Sequence, residues 1–589
     1  RAALRSARAG RVERGARQRA ARGECRRATG ARERRWSPHE KSTWLCMLPR
    51  RLRTLLPLVL VTSVLLVLAW LHRPYIRMGA WQSTEAVPAR ADAAAAPTEL
   101  HAYLAWAKQY ALHTPSSPHV VLIMGNMAGD LDSSASAIGL SYLLNHAQSY
   151  FTAAYGVPRG VYVPLVQTAR GDLRQRRENL LVYEMVGAPA ADLLCVDELG
   201  DLAAAARRMS LGLVDHPVLG EEWGTQGRVV TIVDHHEDEG AHQDAPLRVI
   251  RSPSTHLVGS ATSLVAQLYA AARADMPVSI ADLLLSGLVL DTRNVRRSGR
   301  TLTQLKRAPA GKATADDVEA YRYLWPRSSL RDAASADTFL ARARALAPDT
   351  EPRAPSSAGT GDGTTAAWDA LLQAVKADVA HLDTHELLTR DYKVAVVTVP
   401  GTSGNTVIHM GISAVPVSLS AWLSNAYRTR AALGTVSEAE AAREWDAWWR
   451  ALHAWMRERR LDLAVIMTSF REDDGKGHSK SRRDLAIACA DEHNAARVDR
   501  VARTLVAYGD SFEPHAPKLE LAPWKGVRRV ASGKRERVAG LQVDAARDVL
   551  AGAVRAVPGM HAAVLRQGNT NANRKIVQPA LVRVLQHVW

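Results

Sequence analysis

The chain has 589 residues, 47% of them hydrophobic and 23% charged, which is long and apolar enough for two or three globular domains. Its net charge of +17 would favour a nucleic-acid partner if it were evenly spread, but residues 1–53 alone hold 17 Lys/Arg against 4 Asp/Glu. The rest of the chain is close to neutral, so we expect no nucleic-acid partner. Four cysteines in the whole chain predict no disulfide framework, and nothing in the sequence indicates an oligomeric state.

The N-terminal hundred residues change character at Met47, the first methionine. Residues 1–46 are rich in Arg, Ala and Gly without apolar periodicity. They predict a basic, disordered extension that includes sequence upstream of the translation start. Residues 47–100 form a leader in which Thr54–Leu71 runs for eighteen residues without a charge, after a basic flank. That length predicts a membrane anchor or targeting segment, and a cleaved signal peptide is the alternative.

Residues 116–345 alternate apolar strand-like runs with helical patterns, which predicts a doubly wound α/β domain with a parallel sheet. The runs interpreted as strands are Val120–Met124, Gly160–Leu165, Leu193–Val196, Leu211–Val214, Val229–Val233 and Leu283–Leu290. Residues 349–367 are rich in Pro, Gly, Ser and Thr and predict a linker. A smaller α/β domain is predicted over residues 368–589, with strands at Lys393–Val399 and Leu463–Met467.

Polar turns follow four of the strand-like runs in the first domain. They carry Asn126, Asp130 and Asp132, then Asp215, then Asp234, His235 and His236, and finally Asp291. The carboxyl ends of parallel strands share one edge of a sheet, so we expect these side chains to converge. A single Asp in such a turn is more often a turn or helix-cap residue than a metal ligand. Four such turns together, one with paired histidines, favour a dinuclear site for hard divalent cations.

The motifs GNMAGDLDS, LVDH, VDHHE and LVLDT, in that order, resemble the four motifs of the DHH phosphoesterase superfamily. LLTRDYK, GISAVPVSL and RQGNTNANRKIVQP resemble the associated C-terminal domain of pyrophosphatases and exopolyphosphatases in that group. The resemblance extends over roughly residues 118–585. It implies a doubly wound parallel-sheet DHH domain followed by a smaller DHH-associated α/β domain that binds phosphate.

The resemblance also implies roles for individual residues. Two divalent cations, Mg²⁺ or Mn²⁺, are expected, one held by Asp130 and Asp291, the other by Asp132 and His235, with Asp215 as the bridging ligand. His236 is expected to contact phosphate or the nucleophile, although a structural role is its alternative, and Asp234 to orient the histidines. The implied phosphate-binding residues of the second domain are Lys393, Arg574 and Lys575.

Asn126 is the position that distinguishes branches of the superfamily. Type II pyrophosphatases carry a metal-ligating His at the matching position, whereas exopolyphosphatases and the related prune proteins carry Asn. The resemblance therefore implies an exopolyphosphatase, which hydrolyses the terminal phosphate of inorganic polyphosphate with a metal-activated water. An inorganic pyrophosphatase and a prune-like nucleotide phosphodiesterase are the alternatives, and a polyphosphate-binding scaffold is the non-enzymatic one. We expect the protein in the cytoplasm or in an acidic polyphosphate-storing organelle, anchored to its membrane if Thr54–Leu71 inserts.

Overall fold

Residues 92–589 form one compact unit, and every residue described below belongs to it. The computed structural model describes residues 96–113, 120–295, 313–350, 363–400, 404–423, 426–429, 438–473, 479–490, 494–524, 527–529, 535–537, 553–555 and 560–589. The predicted basic extension and the predicted anchor segment lie outside these residues, as does most of the predicted linker. Among the helices that are described, none has the length and apolar character needed to cross a membrane.

The N-terminal part of the unit contains a six-stranded sheet in the order β3-β2-β1-β4-β5-β6, with every neighbouring pair parallel. Its strands are β1 (Val120–Met124), β2 (Val161–Val166), β3 (Leu194–Cys195), β4 (Ser210–Val214), β5 (Val229–Asp234) and β6 (Leu247–Ile250). The helices are α1 (Leu100–His113), α2 (Leu131–His146), α3 (Gln148–Tyr155), α4 (Arg177–Val186), α5 (Leu202–Arg208), α6 (Ala261–Ala272), α7 (Val278–Thr292), α8 (Ala315–Leu324) and α9 (Ala333–Leu346). The predicted doubly wound α/β fold is confirmed.

The composition of the central strands explains why the sheet is covered on both faces. Every residue of β1, β2 and β5 is buried, and β1 reads VVLIM without one polar residue. Continuous runs of branched aliphatic residues, rather than alternating ones, are typical of parallel strands between two layers of helices. The helices α1 and α2 contribute Tyr103, Leu104 and Leu140 to the same core.

The run Leu283–Leu290 is not a strand: it lies inside helix α7. This prediction was wrong because a helix buried on all sides is apolar on all sides, and its sequence then lacks the periodicity that separates a helix from a strand. Gly287 allows the close packing, since a Cβ there would lie 2.8 Å from Cγ2 of Thr262 on α6. Asp291 therefore reaches the site from the last turn of a helix.

The predicted linker and domain boundary also differ from the structure. Helix α10 (Gly363–Ala377) begins inside the segment interpreted as a linker and continues past residue 368. Its Trp368 packs edge-on against Phe339 and donates a hydrogen bond from Nε1 to Ser286. Trp368, Leu371 and Val375 belong to the core of the first domain. The Gly and Thr residues at the start of α10 resemble the composition of a linker, which led to the wrong boundary. The apolar residues that follow them form the buried face of a helix.

The C-terminal part contains an eight-stranded mixed sheet whose main order is β12-β16-β11-β9-β8-β7. Its strands are β7 (Tyr392–Val399), β8 (Thr406–Val415), β9 (Leu463–Thr468), β10 (Phe470–Asp473), β11 (Ser479–Cys489), β12 (Leu521–Pro523), β15 (Ala553–Arg555) and β16 (His561–Gln567), with β13 (Val527–Arg529) and β14 (Arg535–Arg537) as a separate pair. The helices are α11 (Thr384–Arg390), α12 (Leu419–Leu423), α13 (Ala426–Thr429), α14 (Glu438–Glu458), α15 (Ala495–Val506) and α16 (Arg574–Val588). Within the described residues, β8 pairs with β9 in parallel, and the other neighbouring strands of this sheet are antiparallel.

Two hydrophobic cores lie on opposite faces of this second sheet. One core includes Leu485 and Leu565 with residues of α15 and α16, and the other includes Ala486 and Val564 with the tryptophans of α14. Alternate residues of β11 and β16 thus point to opposite cores, as the period of a strand requires. This placement brings the start of α16 to the end of the sheet that carries Gln567.

Candidate metal and phosphate site

The candidate site lies where the strand order of the first sheet reverses. β1 pairs with β2 on one side and with β4 on the other, so the chain leaves β1 and β4 in neighbouring turns at the same edge. Such a reversal opens a crevice at the carboxyl ends of the strands, and ligands of open α/β sheets bind there. The turn after β1 carries Asn126, Asp130 and Asp132, and the residue directly after β4 is Asp215.

The turn between β1 and α2 is held in a fixed shape by backbone conformation and by caps. Gly129 adopts φ +57°, and a Cβ there would meet the hydroxyl of Thr168. Only glycine enters the left-handed region without a penalty, so this position suits no other residue well. Asp130 is the N-cap of α2 and accepts a hydrogen bond from the amide of Ser133 at 3.1 Å. Asp130 is therefore a helix-cap residue. Only one of its carboxylate oxygens makes the cap hydrogen bond, so the other can bind another partner.

Asp132 is buried in the first turn of α2 and is held from the other side by the start of α6. It accepts hydrogen bonds from the hydroxyl of Ser260 and from the backbone amides of Ala261 and Thr262. Burial, followed by repulsion from Asp215 and Asp291, raises the pKa of Asp132 to about 8. Three carboxylates therefore crowd together here, and they repel one another unless positive charge is supplied.

Asp215 occupies the centre of the cluster in a strained backbone conformation. Its φ of 63° lies in the left-handed region, which costs a non-glycine residue about 1–2 kcal/mol. Its Oδ2 accepts hydrogen bonds from Nδ2 of Asn126 at 2.7 Å and from the hydroxyl of Ser133 at 2.6 Å. Its Oδ1 lies 3.0 Å from Nε2 of His235. Although burial acts in the opposite direction, the neighbouring histidines hold its pKa well below the usual range.

Asp234 is the last residue of β5, and His235 and His236 follow it. Asp234 Oδ1 lies 2.9 Å from Nδ1 of His236, and the carbonyl of Val258 lies 3.0 Å from Nδ1 of His235. A carbonyl can only accept, so Nδ1 of His235 carries a proton, and Nε2 is the nitrogen available to a ligand. Burial lowers the pKa of His236 to about 4, so this imidazole is neutral near pH 7.

One group of side chains can hold a metal ion directly. The ligand atoms of Asp215, His235 and His236 all lie within 4.8 Å of one another. Asp132 is close, with Oδ2 at 3.8 Å from Nε2 of His235. Carboxylate oxygens with imidazole nitrogens suit Mn²⁺ or Mg²⁺, and the mutual repulsion of the acids is what a bound cation relieves. The residues present therefore fit divalent cations.

The basic residues of the second domain reach this cluster, but in different ways. Lys393, on β7, has its pKa lowered by burial and by Arg574, and the charges of Asp215 and Asp130 act on it from the first domain. Lys575 is exposed at the start of α16, and its charge contributes to lowering the pKa of His236. Arg574 is instead bonded to Asp391, with Nη2 2.9 Å from Oδ1. Its charge also acts on Lys393.

The two domains are joined next to the site by a buried cluster of charges. One nitrogen of Arg176 donates both to the carbonyl of Ala128, in the turn after β1, and to the carbonyl of Arg390, at the end of α11. Arg390 in turn donates to both carboxylate oxygens of Glu178, at 2.9 and 3.0 Å. Although burial acts in the opposite direction, Arg390 and Arg176 hold the pKa of Glu178 below its usual value. The guanidinium of Arg176 thus fixes both the turn that carries the candidate metal ligands and Arg390, the residue just before Asp391.

The sequence patterns identify the acids and histidines of the site but not the residues that hold them in position. They did not single out Ser133, Ser260, Arg176 or Arg390, each of which positions a site element. Ser133 could have been noticed, because LDSSAS places its hydroxyl in the first turn of the helix that carries Asp132. Arg176 gave no such signal, because an arginine in a charged stretch ordinarily lies in solvent.

Two family models match the chain. The model of the DHH family N-terminal domain matches residues 120–288, and the model of the DHHA2 domain matches residues 370–584. The first spans the parallel sheet with the acidic and histidine turns, and the second spans the mixed sheet with Lys393, Arg574 and Lys575. The chain belongs to the DHH phosphoesterase superfamily.

Several known proteins are similar to this chain over different shares of its length. "Exopolyphosphatase PRUNE1" of Homo sapiens is 26% identical over 471 residues, which are 79% of this chain and 75% of that protein. A "Probable manganese-dependent inorganic pyrophosphatase" of Lactococcus lactis is 29% identical over 174 residues, which are 29% of this chain and 48% of that protein. A solved structure assigned to the family II inorganic pyrophosphatases, from Methanococcus jannaschii, covers 65% of this chain and 90% of its own at 17% identity and a TM-score of 0.33. That score adds nothing to the fold assignment, which rests on the sheet order above.

Proposed function

We propose that this protein is an exopolyphosphatase, which hydrolyses the terminal phosphoanhydride bond of inorganic polyphosphate. The observation that supports this most directly is the meeting of two kinds of charge at one crevice. The first domain supplies carboxylates and imidazoles around Asp215, and the second supplies Lys393 and Lys575. Clustered acids suit cations, and the adjoining lysines suit the phosphate oxygens of a polyanion. The resemblance to named exopolyphosphatases points the same way.

Two divalent cations, Mg²⁺ or Mn²⁺, are part of the proposal. Asp132, Asp215 and His235 would hold one, and Asp130 and Asp291 would hold the other with Asp215 shared. Bound there, the cations would supply Lewis acidity and lower the pKa of water. The pyrophosphatases that this chain resembles are named as probably manganese-dependent.

The chain's own residues orient the substrate and manage charge. Nδ1–H of neutral His236 donates a hydrogen bond to Asp234, which leaves the lone pair of Nε2 to receive a proton from water; the protonated Nε2–H can then donate to a phosphate oxygen. Lys393 and Lys575 neutralise the oxygen of the phosphate that departs when the terminal P–O bond breaks and water adds to phosphorus. Arg574 holds Asp391, which keeps the start of β7, and with it Lys393, in position.

Asn126 favours polyphosphate over pyrophosphate as the substrate. Its Nδ2 donates to Asp215, and its Oδ1 accepts the amide of Ala128 at 2.9 Å. The side chain thus fixes the turn and Asp215 without supplying an imidazole. A pyrophosphatase is expected to carry a histidine ligand at this position, so we rank pyrophosphatase second.

The test is phosphate release by the full chain in the presence of Mg²⁺ or Mn²⁺. Long polyphosphate, tripolyphosphate, pyrophosphate and a cyclic nucleotide are compared, with Asp215→Asn as the inactive reference. Release from polyphosphate, little release from pyrophosphate and loss in the variant are expected. Preference for pyrophosphate would make the protein a pyrophosphatase, turnover of the nucleotide would make it a phosphodiesterase, and no release by the metal-loaded protein would favour a polyphosphate-binding scaffold.

We also propose where the protein is located in the cell. A polyphosphate hydrolase is expected in the cytoplasm or in an acidic polyphosphate-storing organelle, with Thr54–Leu71 as an anchor. Membrane fractionation of the full chain, compared with a chain lacking residues 54–71, checks it. Recovery of both chains in the soluble fraction would refute the anchor.

A further inference from the structure

One short segment, residues 258–263, contacts two of the proposed metal ligands at once. The carbonyl of Val258 lies 3.0 Å from Nδ1 of His235. The backbone amides of the first two residues of α6 donate to Asp132 at 2.9 and 3.0 Å. The position of this segment therefore determines how His235 and Asp132 are oriented in the metal crevice.

The start of α6 is tied to a metal ligand instead of being capped by its own residue. Ser260 is the N-cap of α6, but its hydroxyl donates to Asp132 rather than accepting from the amides of its own helix. An N-cap side chain ordinarily satisfies those amides. Here the carboxylate of Asp132, on α2, takes that role. Any shift of this helix start would therefore also displace a metal ligand.

Asp317, on α8, supports the same segment from the side away from the metal ligands. It is fully buried. Its Oδ2 accepts the backbone amide of Gly259 at 3.0 Å, and its Oδ1 accepts the hydroxyl of Ser263 at 2.6 Å. Its Oδ2 also accepts the amide and the hydroxyl of Thr314, the N-cap of α8, at 2.6 and 2.8 Å. Asp317 thus ties both ends of segment 258–263 to the start of α8.

The contacts of Asp317 require a carboxylate. Each of its partners is a backbone N–H or a hydroxyl, and each of them donates. A carboxylate accepts at both oxygens, whereas an amide side chain of the same shape would turn an NH2 group toward donors at one of the two positions. A buried donor that loses its acceptor costs free energy, so the segment would shift to recover partners.

We propose that Asp317 is a positioning residue for the metal centre. By fixing the segment it fixes the hydrogen bonds that orient Asp132 and His235, and both of these belong to one of the two proposed cation positions. This inference rests on the proposed two-cation centre and adds a residue that lies outside its ligand motifs. Groups that hydrogen-bond to metal ligands ordinarily tune metal affinity by orienting those ligands.

The role of Asp317 should concern one cation more than the other. Asp130 and Asp291, the ligands proposed for the second cation, belong to other elements. Asp130 caps α2 through the amide of Ser133, and Asp291 lies in the last turn of α7. A shift of the start of α6 should therefore weaken the two cations unequally.

The test is Mn²⁺ binding to the full chain, measured by isothermal titration calorimetry well below the unfolding midpoint of every variant. Asp317→Asn removes the charge and keeps the shape of the side chain. Removing a group that orients a metal ligand costs about 10–100-fold in affinity, and Asp317 acts through one further contact, so we expect one cation to bind about 10-fold more weakly. The affinity for the other cation is expected to be unchanged.

Asp282→Asn is the matched control. Asp282, on α7, is also buried, and it accepts the amide and the hydroxyl of Ser329 at 2.8 and 2.7 Å. This variant loses the same kind of contact and should lower the melting temperature in the same way as Asp317→Asn, but both Mn²⁺ affinities should be retained. Ser263→Ala is a milder variant, because it removes one donor and keeps the carboxylate. It should weaken the same cation by a smaller factor.

The outcomes separate this proposal from the proposed function. Unchanged Mn²⁺ binding in Asp317→Asn, equal weakening of both cations, or the same loss in Asp282→Asn would overturn the positioning role. If Asp317→Asn does not fold, Ser263→Ala decides, and wild-type affinity in that variant would overturn the role. A wild-type chain that binds Mn²⁺ but releases no phosphate from polyphosphate would refute the exopolyphosphatase, while the Mn²⁺ titrations would still decide the role of Asp317.

Discussion

The two sheets contribute to the site by different physical routes. In the parallel sheet, strand order alone brings the turns after β1, β4 and β5 to one edge, so distant acids and histidines must meet. In the mixed sheet no such rule operates, and the cations are placed by individual contacts, such as Arg574 with Asp391. The first set of residues is therefore fixed by topology and the second by side-chain pairing. We therefore expect substitutions in the two regions to impair the protein in different ways.

The largest effect is expected at Asp215, which the strand order of the parallel sheet brings to the site. Asp215→Asn removes the charge but retains a residue type that tolerates the left-handed conformation. Phosphate release from polyphosphate should fall by about a thousandfold or more, equivalent to about 4 kcal/mol. Some loss of melting temperature is also expected, because His235 loses the buried carboxylate that it contacts, so activity is compared well below the unfolding midpoint of the variant.

The control for that variant is Asp244→Asn, at an exposed position of the same domain. It should keep full activity. Substantial residual activity in Asp215→Asn would mean that the cluster around Asp215 is not the reaction centre.

The second effect concerns the interface between the two domains. Glu178→Ala removes the buried carboxylate that pairs with Arg390 and leaves Arg390 and Arg176 without their counter-ion. Breaking a buried pair in this way costs about 3–5 kcal/mol, so the free energy of unfolding in urea should fall by that amount. Glu184→Ala, an exposed change on the same helix α4, should change it little. A loss no larger than that of Glu184→Ala would show that the charge cluster does not hold the domains together.

The third effect tests a cation placed by the mixed sheet. Lys393→Met keeps the length of the side chain and removes its charge. Loss of one charge-assisted contact to phosphate, about 1.5–3 kcal/mol, should lower kcat/KM for polyphosphate about 10–100-fold without destabilising the fold. Lys518→Met, at an exposed lysine paired with Asp510, is the control. An unchanged kcat/KM in Lys393→Met would show that this lysine does not contact substrate.

This difference between the sheets also sets how much the sequence could predict. The doubly wound fold and the convergence of Asp132, Asp215 and His235 followed from strand order and turn residues, and the structure brings these three together. The helical state of Leu283–Leu290 could not be read, because burial on all sides erases periodicity. The sequence also did not indicate the ion pair of Arg574 with Asp391, or the hydrogen bonds by which Arg176 joins the two domains. Both depend on the packing of one domain on the other, which no local pattern encodes.

The smallest effect is expected at Asp484, a buried carboxylate of the mixed sheet with no role in the site. Burial raises its pKa to about 6, although Arg566 acts in the opposite direction. An acid whose pKa is raised on folding stabilises the protein while it is protonated, and that stability is lost as pH rises through the folded value. Between about pH 5 and about pH 7 the wild-type chain should lose about 1 kcal/mol through this group.

Asp484→Asn cannot titrate, so its free energy of unfolding should fall less than that of the wild-type chain over the same pH interval. Urea unfolding at both pH values measures the difference, and Asp510→Asn, at an exposed position, serves as the reference. An identical pH dependence in Asp484→Asn and wild type would contradict the raised pKa.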